Sequence, residues 1–118
     1  MKNTKKIYLA FSIEESLFQE FKDICYTLGI KHTTAVNLFI NKCVELDNLP
    51  FSLSETIQSP SHVKENDQMK RVAIMVKDQD GYQKFKEICR RIGIEKARAA
   101  RIFILRCIDK RGLPFDVY

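Results

Sequence analysis

Apolar and polar positions alternate strictly near the start of the chain. Ile7, Leu9, Phe11 and Ile13 fall on one side, and Lys6, Tyr8, Ala10 and Ser12 on the other. A period of two sustained over this length predicts a strand with one buried face. The period then lengthens. Leu17, Phe21, Ile24 and Leu28 fit one helical stripe, closed by Gly29, a residue suited to the left-handed turn after a helix. Ser12 or Glu14 is expected to begin this helix, and Ser12-x-x-Glu15 has the form of a capping box. A second helical stripe follows in Ala35, Leu38, Phe39 and Cys43. It is expected to end before Leu49-Pro50-Phe51, where proline cannot continue a helix.

The same order recurs downstream. Val72, Ile74 and Val76 alternate with Arg71, Ala73, Met75 and Lys77. Phe85, Ile88, Cys89 and Ile92 form a stripe closed by Gly93, with Asp78 or Asp80 as the expected N-cap. Ala99, Ile102, Phe103 and Cys107 then precede Leu113-Pro114-Phe115. A shift of 64 superimposes the helices, and 14 of 36 pairs are identical between residues 18–53 and 82–117. The strands superimpose at 63 instead, so the second copy carries one extra residue around positions 77–81. That offset matters, because a slip of one residue exchanges the two faces of a strand.

The repeat makes half the chain the unit of folding. Residues 1–53 form one copy, residues 54–69 a polar linker containing Pro60, and residues 70–118 the second copy. A module of about 50 residues lies near the lower limit at which a chain buries enough surface to fold alone. Each copy is therefore expected to use the other as its partner. The linker, at roughly 3.3 Å per extended residue, reaches across a small domain and leaves the second strand free to lie antiparallel to the first.

Charge distinguishes the copies. Of the net +5, residues 1–53 contribute zero, residues 54–69 contribute −2 and residues 70–118 contribute +7. An excess of this kind suits a polyanionic partner, although a solvated surface would carry it too. Cys25, Cys43, Cys89 and Cys107 occupy equivalent places on apolar helical stripes, with no C-x-x-C pair. Buried free thiols acting as small hydrophobes are the favoured reading, a metal site or disulfide framework the lesser one. His32 and His62 lack a partnered carboxylate or nucleophile and are expected to be solvated. No apolar run is long enough to cross a bilayer and the basic N-terminus lacks a signal-peptide cleavage pattern, so a cytoplasmic protein without membrane contact is expected. No paired carboxylates, nucleophile–base set or glycine-rich phosphate loop is present. Neither an enzyme nor a cofactor is expected.

A strand followed by two helices cannot bury a sheet face by itself, but two such units can, by pairing their strands over four helices. In order and spacing, the alternating strand, the helix, Gly29-Ile30, Ala35…Phe39 and Leu49-Pro50-Phe51 resemble the RelB/DinJ antitoxin family of ribbon-helix-helix proteins. Gly93-Ile94, Ala99…Phe103 and Leu113-Pro114-Phe115 repeat that resemblance. It implies a mainly α fold with a two-stranded antiparallel ribbon, the tandem copies forming an intramolecular pseudo-dimer. It also implies double-stranded DNA as the partner, with the ribbon in the major groove, where a two-stranded β-ribbon fits. The base-facing residues would be Tyr8, Ala10, Ser12, Arg71, Ala73 and Met75. Phosphates would meet the N-terminal turns of the second helices, through Lys31, His32, Thr33 and Thr34 in one copy and Lys96, Arg98 and Arg101 in the other.

The chain departs from that pattern in three ways. The exposed ribbon face offers one arginine, one tyrosine and one serine, so modest specificity or unequal reading of two half-sites is expected. Glu95 stands where a phosphate would approach. The family generally wraps a toxin with the segment after Leu-Pro-Phe, and the comparable segment here is the linker. Three functions follow, in order of preference: a transcriptional regulator derived from an antitoxin, an antitoxin whose linker neutralises a small toxin protein, and a conjugation accessory protein. The first admits higher assembly on DNA.

Overall fold

The computed structural model describes residues 6–51 and 67–115. It is mainly helical, with one two-stranded antiparallel sheet and four helices. Strand β1 (Ile7–Glu14) leads into α1 (Glu15–Leu28) and α2 (His32–Leu46), and β2 (Met69–Val76) leads into α3 (Gln79–Ile92) and α4 (Lys96–Lys110). The linker and any toxin-binding role for it fall mostly outside the described residues, as does His62.

Strand β1 pairs with β2 in a single register: Tyr8 opposite Met75, Ala10 opposite Ala73 and Ser12 opposite Arg71. Ala10 thus faces its own counterpart in the repeat. The alternation expected from the sequence holds, with Leu9, Phe11, Ile13, Val72, Ile74 and Val76 all buried. Below them the helices pack across the repeat: α1 lies against α4, α2 against α3, and α4 runs beneath β1. The buried side chains of both copies belong to one cluster.

The centre of that core is aromatic. Phe39 and Phe103, equivalent positions of α2 and α4, stack with centroids 4.6 Å apart and planes 8° from parallel. Phe51 stacks on Phe39 at 5.8 Å, and Phe115 on Phe103 at 5.8 Å. Four rings therefore form one column, and the repeated Leu-Pro-Phe phrase supplies its two ends. Phe85 meets Phe39 edge-on at 5.6 Å and Phe21 meets Phe103 edge-on at 5.9 Å, each from the opposite copy.

Proline does not set the helix ends. Helix α2 stops at Leu46 and α4 at Lys110, where Asp47 (φ 53°) and Arg111 (φ 56°) turn left-handed. The N–H groups of Asn48 and Gly112 then reach back to the carbonyls of Cys43 and Cys107, each at 3.1 Å. This closure satisfies carbonyls that the helix leaves open. Proline only prevents resumption. Gly29 and Gly93 close α1 and α3 in the left-handed conformation, as their type predicts.

Two details of the first copy differ from expectation. The Ser12 capping box does not form. Glu14 is the N-cap of α1, but its side chain makes no capping bond, and Asp67 caps the helix from a distance, accepting from the Ser16 N–H at 3.1 Å and from the Ser16 hydroxyl. Leu28, at the C-terminal end of the α1 stripe, is 44% exposed. In the second copy Asp78 caps α3 locally, its Oδ1 accepting from the Gly81 N–H at 3.0 Å. Whereas Glu14 is followed at once by α1, two residues, Lys77 and Asp78, separate β2 from α3. The extra residue of the second copy lies there, and it provides the cap.

Candidate functional site

The outward face of the ribbon is built by alternation alone. Tyr8, Ser12, Arg71, Ala73 and Met75 are exposed and Ala10 is half-buried, so the six residues expected to be base-facing lie together on one face. Along that face the register sorts them into three steps. Ser12 and Arg71 form one end, Ala10 and Ala73 the middle, and Tyr8 and Met75 the other end.

Each end is tied to a second helix by a polar contact at one repeat position. In α2 this position is Asn37, which is buried. Its amide donates to the Met75 carbonyl at 3.0 Å and to the Thr33 carbonyl at 2.9 Å, and its Oδ1 accepts from the Lys77 N–H at 3.0 Å. In α4 the same position is Arg101, whose guanidinium donates to both carboxylate oxygens of Glu14, one of them at 3.0 Å. The hydrogen bonds from Arg101 hold the Glu14 carboxyl below its ordinary value, and Glu14 in turn raises that of Arg101. Arg101, expected at phosphate, is thus half-buried and engaged as a clamp between α4 and the ribbon.

The N-termini of the four helices divide into two kinds. Those of α1 and α3 are occupied by the carboxylates of Asp67 and Asp78. Those of α2 and α4 follow Lys31 and Glu95, which make no side-chain cap, and neither first turn contains an acidic residue. The leading N–H groups of a helix have no internal acceptor, and with the helix dipole they favour an anion.

Beside each of these two ends lies an aromatic ring attended by cations. In the first copy Phe18 meets the His32 ring edge-on at 5.4 Å, with Lys22 Nζ 5.2 Å from the Phe18 centroid. In the second copy the equivalent ring is Tyr82, with Lys86 Nζ at 5.5 Å and Lys96 Nζ at 5.8 Å. His32 is half-buried rather than solvated, and burial, aided by Lys22, pushes its pKa down and favours the neutral imidazole. The cluster of the second copy is therefore the more cationic. An open depression of about 440 Å³ adjoins it, lined by Ala10 of the ribbon and by Lys86, Arg90, Glu95 and Lys96.

Compared with protein-family models, with curated proteins and with solved structures, the chain matches none. What the site can do rests on its own geometry. Of the residues expected at phosphate, Lys31, Lys96 and Arg98 are exposed, while His32, Thr33 and Thr34 are half-buried in the first turn of α2. Asn37, Lys86 and Arg90 were missed by sequence reasoning. A signal existed for the latter pair, since residues 86 and 90 stand one helical turn apart and share a face. For Asn37 the signal was a polar residue inside the apolar arc of α2.

The thiols offer no chemistry. All four cysteines are free and buried, and burial pushes Cys25 and Cys89 up to about 11, and Cys43 and Cys107 higher still. The thiolate is the reactive form, so these groups act as core side chains. Among the described residues no His, Cys, Asp or Glu side chains are grouped to hold a metal, and no helix is long and apolar enough to cross a membrane.

Proposed function

We propose that this chain is a sequence-directed DNA-binding protein, a transcriptional regulator related to the RelB/DinJ antitoxins. In this reading its tandem ribbon-helix-helix copies form an intramolecular pseudo-dimer. The observation that carries the reading is the strand register. Pairing Ala10 with Ala73 is what a two-fold axis through the ribbon requires, and it gathers Tyr8, Ala10, Ser12, Arg71, Ala73 and Met75 on one exposed face. A ribbon of two strands fits the major groove. The α2 and α4 N-termini, lacking carboxylate caps, suit the phosphates on either side.

Arg71 would read base edges, and Lys31, Lys96 and Arg98 would meet the backbone. Arg101 would act one step removed, by holding α4 to the ribbon through Glu14. A mobility-shift titration on the chain's own upstream region, repeated at several salt concentrations, tests this. With roughly six phosphates neutralised, the plot of log K against log salt should fall with a slope of about −5. Failure to shift any duplex at low salt would refute it.

A further inference from the structure

The two ends of the ribbon face are chemically unlike. Around its centre the repeat relates Tyr8 to Arg71 and Ser12 to Met75, so a symmetric ribbon would carry the same pair at both ends. Here the hydrogen-bonding residues collect at one end, as Ser12 opposite Arg71, and the apolar bodies collect at the other, as Tyr8 opposite Met75. Tyr8 and Met75 are 48% and 40% exposed, so neither is sequestered in the core. The Ala10–Ala73 pair between them offers no side-chain hydrogen bond.

We propose that the two ends read different half-sites, so that the chain takes a non-palindromic duplex. Arg71 and Ser12 would bind a guanine-bearing half, and Tyr8 and Met75 a half presenting thymine methyl groups. This rests on the DNA-binding reading above. The chemistry follows from the groove edge: arginine donates bidentately to guanine O6 and N7, while apolar side chains meet the thymine methyl. The four residue steps from Arg71 to Met75 span about 13 Å of strand, roughly the rise of four base pairs. The flanking helices strengthen the asymmetry. Arg101 ties α4, with Lys96 and Arg98, to the Arg71 end, whereas Asn37 ties α2 to the Met75 end.

The test is selection of the full chain on a random duplex library, followed by titration of the enriched sequence. The wild type should enrich a site lacking two-fold symmetry, with guanine fixed in one half only. Replacing that guanine should weaken binding about 10- to 100-fold. Arg71→Ala should lose the same factor and the preference at that position alone. The double variant Tyr8→Arg/Met75→Ser, which gives both ends the Arg71-type pair at exposed positions, should shift the preference to a palindrome of the guanine half. Enrichment of a palindrome by the wild type, or binding with no base preference, would overturn the inference while leaving DNA binding intact. Binding to no duplex at low salt would remove the DNA-binding reading, and this inference with it.

Discussion

Replacing Phe39 or Phe103 with alanine should be among the most damaging changes the chain can carry, and the two should cost alike. Both rings are fully buried, and each has three ring neighbours: Phe51, Phe85 and Phe103 around Phe39, and Phe115, Phe21 and Phe39 around Phe103. Loss of a buried phenylalanine costs about 3–5 kcal/mol. The ring contacts, about 0.5–1.5 kcal/mol each, place these two toward the upper end of that range. Against a total stability of about 5–15 kcal/mol, either change removes a large share. Phe51→Ala, at a half-buried end of the column, should cost only about 1–2 kcal/mol.

Urea denaturation followed by far-ultraviolet circular dichroism measures all three. Because the column and the α1–α4 and α2–α3 contacts join the copies, each variant should unfold in one transition with the midpoint lowered and the slope unchanged. Two transitions, one matching the wild type, would mean that the halves fold separately. That result, or a loss under about 1.5 kcal/mol for either central ring, would refute the reasoning.

Other outcomes follow from local chemistry. Arg111 sits at φ 56° after α4, where glycine avoids the side-chain strain, so Arg111→Gly should raise stability by about 0.5–1 kcal/mol in the same urea assay. Gly29→Ala should lower it by about 1 kcal/mol, since the position is open in space but left-handed (φ 78°). The four thiols should be silent to a disulfide reagent in buffer near neutral pH and react together in denaturant; fast reaction of any one in the native protein would contradict its burial. Because folding lowers the His32 pKa, the unfolded chain binds its proton more readily. This contribution is full above the ordinary imidazole value of 6.5 and is lost as pH falls through the lower folded value. Stability measured from pH 7.5 to about 5.5 should therefore drop further in the wild type than in His32→Gln, and parallel curves would exclude the effect.

Most of the element order was legible because the period of the pattern changes where the structure changes. Strict alternation gave β1 and β2, the longer period gave four helices, and Gly29 and Gly93 marked the two left-handed turns. Contacts between distant residues were not legible. The Asp67 cap of α1 lies 51 residues from Ser16, and the Arg101 clamp lies 87 residues from Glu14. No local pattern encodes either. Leu-Pro-Phe could be read as a stop but not as the ends of a ring column, because the column exists only once α2 and α4 are placed side by side. Periodicity put the six ribbon residues on the outward face, and the family resemblance singled them out as base-facing. Their grouping into a polar and an apolar end needed the register.

The claim that the ribbon face is where duplex DNA binds is tested most directly by amide chemical-shift mapping of the isotopically labelled chain titrated with the duplex it selects. Shifts should concentrate at Tyr8, Ala10, Ser12, Arg71, Ala73 and Met75 and in the first turns of α2 and α4. Shifts confined to the outer surfaces of α1 and α3, or no shifts at low salt, would contradict it.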